Sequence, residues 1–192
     1  MVSVSQWGIE PAQTVGIQGG SGAGKTRLLR AIADLDPNEA QIALGGIERQ
    51  DFAPTEWRRA VGLLPAAPLW WRDTPMEHFH QDPSPRLLRI GLRPERILRA
   101  PIELLSSGER QRLAFARILD REPRVLLLDE PTANLDPESR LLVEKEAIHY
   151  QGQTGCPILW VSHDSDQLRR MASRIFLLAQ GRLQILPDSN HS

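Results

Sequence analysis

A short run near the start of the chain, Gly19-Gly20-Ser21-Gly22-Ala23-Gly24-Lys25-Thr26, combines what a phosphate group needs from a protein. The spacing Gly19-x-x-x-x-Gly24-Lys25-Thr26 is that of a P-loop. In it, backbone N–H groups wrap the phosphates, Lys25 reaches the outer oxygens and the Thr26 hydroxyl can hold Mg²⁺. A second run, Val125-Leu126-Leu127-Leu128-Asp129-Glu130-Pro131, is an apolar strand ending in two carboxylates. Asp129 is placed to hold Mg²⁺ through water, and Glu130 to polarise an attacking water as general base. Together the two runs point to nucleotide binding with hydrolysis.

A third run, Leu105-Ser106-Ser107-Gly108-Glu109-Arg110-Gln111-Arg112, opens a helix that continues through Leu113, Ala116 and Ile118 to Leu119. Ser106 and Glu109 have capping-box spacing, and the helix N-terminus offers a second place for an anion. Asp136 before Pro137 reads as an N-cap with proline at the first helical position. His163 follows an apolar strand, where a histidine can be structural or can reach a ligand.

These groups need a scaffold that gathers strand ends. Strand-like segments recur at 14–18, 41–44, 60–64, 125–129, 157–162, 175–179 and 182–186, with helical patterns between several of them. The alternation predicts an α/β fold, and the continuous apolar runs at 125–128 and 158–161 suit central parallel strands covered on both faces. Residues 14–34 read as strand, loop and helix, which would set bound phosphates against a helix N-terminus. Ala179-Gln180-Gly181-Arg182 reads as a hairpin turn.

The stretch 66–104 breaks the alternation with Pro68, Pro75, Pro83, Pro85, Pro94 and Pro101, and short helical pieces at 86–90 and 95–99 lie between them. It reads as a small helical lobe, because Leu87, Leu88, Ile90, Leu92, Ile97 and Leu98 need a packing surface. Trp70 and Trp71 stand at its entrance, at least one for the core or for a partner.

The length of 192 residues fits one large domain, and the formal net charge of −1 gives no reason to expect bulk nucleic-acid binding. Nearly all the basic residues are arginine, with Lys25 and Lys145 the exceptions. No apolar run approaches the ~20 residues that cross a bilayer, and the start lacks the order of a signal peptide. The expectation is a soluble, cytoplasmic chain, with its single cysteine, Cys156, reduced and buried.

On these residues the chain resembles the nucleotide-binding subunits of ABC transporters over nearly its whole length. The 105–109 run is similar to the family signature, usually Leu-Ser-Gly-Gly-Gln. The resemblance implies a P-loop NTPase of the ABC type with a shortened helical subdomain and a small antiparallel β subdomain. Its division would be 1–65 with 105–192 as a RecA-like core, and 66–104 as the helical subdomain. It implies ATP and Mg²⁺ as ligands, with residues 19–26 on the phosphates and Thr26 and Asp129 at the metal. Lys25, Glu130 and the switch histidine His163 would act in catalysis. Ser106, Ser107, Gly108 and Glu109 of one protomer would close the P-loop site of its partner in a head-to-tail dimer, most simply a homodimer. Asn134-Leu135-Asp136 resembles the D-loop that crosses that interface, so Asp136 stays open between cap and interface residue. A separate transmembrane permease would hold the subunit at the inner face of the membrane, through the region of Trp70, Trp71 and residues 72–77. The run 157–164 resembles small exporter-type subunits.

Two departures stand out. Aligning Val61-Gly62-Leu63-Leu64-Pro65 with the family's strand puts Ala66 where a Gln contacts metal and water, and alanine has no side-chain donor or acceptor. That predicts slow or differently regulated hydrolysis. The stretch before Gly19 leaves no room for the strand whose aromatic residue stacks on adenine, a gap that a misassigned start at Met1 would explain; Trp7 falls on the following strand, 3–9, in a packing role. The alternative functions are an ATP-binding regulatory module with little turnover and a soluble non-transport ABC ATPase. Against a DNA-repair role stand the missing coiled-coil insertion, zinc-type cysteines and basic charge.

Overall fold

The apolar stretches that carry no outward-facing polar residue are sheet interiors in the computed structural model, which describes residues 7–186. Met1 and the first part of the expected strand 3–9 lie outside the described residues, and its described part, 7–9, forms no strand: the first strand opens at Thr14. The strands are β1 (Thr14–Gln18), β2 (Ala43–Leu44), β3 (Ile47–Glu48), β4 (Val61–Leu64), β5 (Val125–Asp129), β6 (Ile158–Val161), β7 (Arg174–Ala179) and β8 (Arg182–Ile185). Six of them form one sheet in the order β4-β5-β6-β1-β7-β8, parallel except for the last pair. β2 and β3 form a separate antiparallel pair, turned by Gly45 and Gly46 at φ 60° and 81°. The β7–β8 turn likewise uses left-handed Gln180 and Gly181, the pattern that matches hairpin twist.

Side-chain alternation divides β5 and β6 between two cores. Leu126, Leu128, Ile158 and Trp160 point to one face, where they meet α5 (Ser107–Asp120), α6 (Pro137–Thr154) and α7 (Ser165–Met171) through Leu113, Phe115, Val143, Leu168 and others. Leu127, Leu159 and Val161 point to the opposite face with Val15 and Ile17, against Leu28 and Leu29 of α1 (Lys25–Ile32) and Trp57 of α2 (Pro54–Ala60). All of these are at least nine-tenths buried. Each aliphatic side chain of this kind contributes roughly 1.5–3 kcal/mol by leaving water.

The stretch 66–104 holds α3 (Ser84–Arg89), α4 (Pro94–Ile97) and 3₁₀ turns at Pro75–His78 and Ile102–Leu104. Leu87, Ile90, Leu92 and Ile97 are buried in the same cluster as β5 and α5. Leu88, expected to pack, is 61% exposed because it takes the outer face of α3. Glu146 of α6, 2% exposed, receives a two-pronged ion pair from Arg89 and lies near Arg86, so the lobe is tied to α6 by charge as well as by packing.

The seven expected strands lie within a residue or two of their places, with Ala60 closing α2 instead of opening β4. Two helices went unread. In α2, Pro54 at the first position and Glu56 accepting from Ala53 N–H are a usable start signal, and Trp57 anchors the helix by donating from Nε1 to Ile32 O at 2.9 Å. In α7, Asp164 caps Gln167 N–H. Cys156 is 2% exposed, and burial pushes its thiol up to about 12, so it stays an inert thiol at neutral pH.

Candidate functional site

β1, β4, β5 and β6 are parallel, so their carboxyl ends share one edge of the sheet, the edge where open α/β sheets bind ligands. The 19–26 loop leaves β1 at this edge. A Cβ on Gly19 would meet Leu178 O at 2.4 Å, so only glycine allows the loop to pass β7 so closely. Gly22 and Gly24 have φ of 77° and 101°, and Ala23 N–H donates to Gly20 O at 3.2 Å to close the turn. Gly24 ends the loop as the N-cap of α1, with no side chain capping the helix and no acidic residue in its first turn. The first N–H groups of α1 are therefore left for an anion. Lys25 is 7% exposed, and its ammonium donates to Gly19 O at 2.7 Å and Gly20 O at 3.0 Å, lying across the loop it ends.

At the end of β5, Asp129 is 2% exposed and its Oδ2 accepts from Thr26 Oγ1 at 2.6 Å. Two hard oxygen donors thus converge at the start of α1, a set that suits Mg²⁺. Glu130 follows with φ 49°, an uncommon conformation for a residue with a side chain, held by its N–H donating to Val161 O and by its carbonyl accepting from Ala133 N–H. That backbone turns its carboxylate toward His163, whose Nε2 lies 3.2 Å from Glu130 Oε1. This oxygen is buried and accepts no hydrogen bond. Burial pushes the Glu130 carboxyl above the ordinary glutamate range, and the nearby His163 and Lys25 only partly offset it.

The 105–109 run opens α5 as a capping box: Glu109 N–H donates to Ser106 Oγ at 3.2 Å, and Ser106 N–H to Glu109 Oε2 at 2.9 Å. Arg96 pairs with the same carboxylate and neutralises it. Ser106 and Ser107 are exposed, while Gly108 packs on Leu135 and Asn134, leaving a Cβ only 3.3 Å from the Leu135 side chain. Asp136 is exposed and caps α6 by accepting from Ser139 N–H at 2.9 Å, which holds its carboxyl below the usual range. The sites expected from sequence therefore form two groups within one chain. Residues 19–26, Asp129, Glu130 and His163 meet at one place, and 106–109 meets 134–136 at another. No hydrogen bond or ion pair among the described residues joins the two.

Ala66 is exposed in the bend after β4, beside the Asp129 end of β5, since Leu64 pairs with Leu128. The segment beyond it is fastened to α5. Arg117 donates twice to Leu69 O at 3.0 Å and lies 4.3 Å above the ring of Trp70 and 4.8 Å from that of Trp71. Burial lowers Arg117 to about 10. Trp70 packs on the core, whereas Trp71 is 61% exposed, as two adjacent indoles require. Trp7 rests on Phe176 with ring centroids 5.4 Å apart, a packing role on the sheet. Sequence reasoning missed Arg140, whose guanidinium donates to Asp164 at 2.6 Å, and Gln167 beside it, although Asp164-Ser165-Asp166-Gln167 has the spacing of a helix start.

A family model described as "ABC transporter" matches residues 2–133. The tungstate uptake system ATP-binding protein TupC of Peptoclostridium acidaminophilum is 34% identical over 193 residues, covering 95% of this chain and 89% of that protein. Several longer curated relatives are spanned over only about half their length. Among solved structures, an ATP-binding subunit of an ABC transporter superposes with a TM-score of 0.82 at 23% identity, over 95% of this chain and 82% of that one. A dimeric ATP-binding cassette in a post-hydrolysis state, bound to ADP and Pi, gives a TM-score of 0.77 at 26% identity, over 93% and 86%.

Proposed function

Since the chain belongs to the ABC transporter family as an ATP-binding domain, we propose that it binds and hydrolyses ATP at residues 19–26, Asp129, Glu130 and His163 to drive a separate membrane permease. The carrying observation is the convergence of Thr26 with Asp129 and of Glu130 with His163 at the carboxyl edge of one sheet. The loop N–H groups and Lys25 would bind the phosphates, and Thr26 and Asp129 would hold Mg²⁺. The metal, when bound, draws charge from the phosphate oxygens. Glu130 takes a proton from the water that attacks the γ-phosphorus, while the bond to the bridging oxygen breaks and the electron pair leaves with ADP. His163 orients the transferring group. A carboxylate with a raised pKa is a stronger base than an ordinary glutamate once ionised.

The second group of residues suits a partner protomer. Ser106, Ser107 and the N-terminus of α5 are exposed and distant in bonding from their own P-loop, so they would close the site of a second copy, with Asp136 at the same interface. The dimeric solved cassette supports this arrangement. The Arg96–Glu109 pair offsets the negative charge that this chain carries where the family has Gln. We place the chain division at 1–65 with 105–192 as the RecA-like core and 66–104 as the helical subdomain.

The permease would meet the face around Leu69, Trp71 and Met76, which are exposed apolar side chains on the segment after Ala66. This would keep the subunit at the cytoplasmic membrane surface; no helix among the described residues is long and apolar enough to cross a membrane itself. Relatives named for uptake or import favour an importing assembly over the exporter-type subgroup that residues 157–164 resemble. With Ala66 in place of Gln, hydrolysis is slow until the permease engages.

The test is phosphate release from Mg²⁺-ATP by the purified chain, with Lys25→Ala as the control. Release by the native chain and none by the variant is expected; nucleotide binding without release, with the permease present, would move the chain to the regulatory-module reading.

A further inference from the structure

Three segments around the site meet on one side chain that the proposed chemistry does not use. Gln167, in the first turn of α7, is 1% exposed. Its Nε2 donates to Thr132 Oγ1 at 2.8 Å and to Glu144 Oε1 at 2.7 Å, and its Oε1 accepts from Trp160 Nε1 at 3.3 Å. Its backbone N–H donates to Asp164 Oδ1 at 2.9 Å. One amide has two N–H donors and one carbonyl oxygen, and every one of them is engaged.

The partners are the neighbours of the reacting groups. Thr132 follows Glu130 and Pro131, and its carbonyl accepts from Leu135 N–H at 3.2 Å, so it also starts the turn carrying Asn134 and Asp136. Trp160 lies on β6, the strand that leads to His163, and Asp164 follows that histidine. Glu144 belongs to α6, is 4% exposed, and also receives Arg170 at 3.1 Å. A cleft of about 220 Å³ is lined by Glu130, Thr132, His163 and Gln167, with Arg140 and Asp164 at its side.

We propose that Gln167 is a positioning residue for ATP hydrolysis: its side chain fixes the turn after Glu130 to β6, the strand that leads to His163, while its backbone N–H holds Asp164, and together these keep the two reacting side chains at their 3.2 Å approach. This rests on the reading of Glu130 and His163 as the hydrolytic pair. Glu130 needs such support, because a left-handed residue with a side chain relaxes unless its surroundings hold it. The junction is buried and its polar groups satisfy one another, which favours one arrangement over a range.

The chemistry of the amide provides a discriminating test. Gln167→Glu keeps the shape and the acceptor for Trp160, but it turns the donor to Glu144 into a second carboxylate. The double change Gln167→Glu with Glu144→Gln restores one donor and one acceptor in reversed order. For the full chain with Mg²⁺-ATP, Gln167→Glu is expected to lower kcat by about tenfold or more, since an ångström of misplacement costs on the order of 10²-fold. Affinity for a fluorescent ATP analogue should stay within about twofold, a loss made in the transition state alone. The double variant should regain most of kcat. Hydrogen exchange should show lost protection at 130–136 and 162–164 in the single variant and its return in the double.

Native kcat in Gln167→Glu, or a kcat and affinity that fall together and do not recover in the double variant, would overturn the proposal. A native chain that releases no phosphate even with the permease present would refute the hydrolysis reading separately. Positioning is then decided by exchange: local loss and recovery support it, and unchanged protection overturns it.

Discussion

Thr26 Oγ1 donates to Asp129 Oδ2 at 2.6 Å, joining the first turn of α1 to the end of β5 across 103 positions of sequence. The bond gives a buried carboxylate its partner and places two oxygen ligands together at the same time.

Removing the hydroxyl should therefore register twice. Thr26→Val leaves a buried acceptor unpaired, which costs about 1–3 kcal/mol, and in a chain of this size each kcal/mol lowers Tm by roughly 2–4 °C. Thr26→Ser should behave as the native chain in thermal unfolding and in the Mg²⁺ dependence of nucleotide binding. Asp129→Asn should keep nucleotide binding and lose phosphate release by on the order of 10²-fold.

Glu130 makes the stability depend on pH in a defined direction. Burial raises its folded-state pKa above the unfolded value, so folding disfavours the ionised form. Protonated in both states, the group costs nothing; as pH rises past the ordinary glutamate range, the folded chain carries a growing cost. Glu130→Gln should then melt above the native chain at about pH 8, with the gap closing toward about pH 4. In the native chain the acid limb of kcat should lie above the range of a free glutamate. Thermal melts of both proteins across pH check the first point, and a pH–rate profile the second.

Much of this was legible in residue order, for reasons that differ by element. The loop at 19–26 and the strand ending in Asp129 and Glu130 are local patterns, in which glycine spacing and an apolar run ending in charge dictate geometry. Burial of β5 and β6 on two faces followed from their unbroken apolar runs. The short helix α2 went unread despite its Pro54 and Glu56 start signal, because, of its seven residues, only Trp57 is buried and the carbonyl that anchors it, Ile32 O, lies 25 positions away. Nor was the Gln167 junction, whose partners Thr132, Glu144 and Trp160 are scattered along the chain and meet only once the sheet is built. The Glu130–His163 approach was visible as order but not as distance.

Ala66 provides a gain-of-function measurement. It is exposed beside the carboxyl end of β5, so Ala66→Gln should leave Tm unchanged within about 0.5 kcal/mol of stability. A side-chain amide there can orient water and metal, and phosphate release without a permease should rise roughly tenfold. An unchanged rate would mean that this bend does not face the reaction.

The most direct test concerns Glu130 itself, using oligomeric state and phosphate release of the Glu130→Gln chain with Mg²⁺-ATP. A stable ATP-dependent dimer that releases no phosphate is expected, because binding and closure need residues 19–26 and 106–109 while cleavage needs the carboxylate. Phosphate release at the native rate, or a chain that stays monomeric with ATP bound, would contradict it.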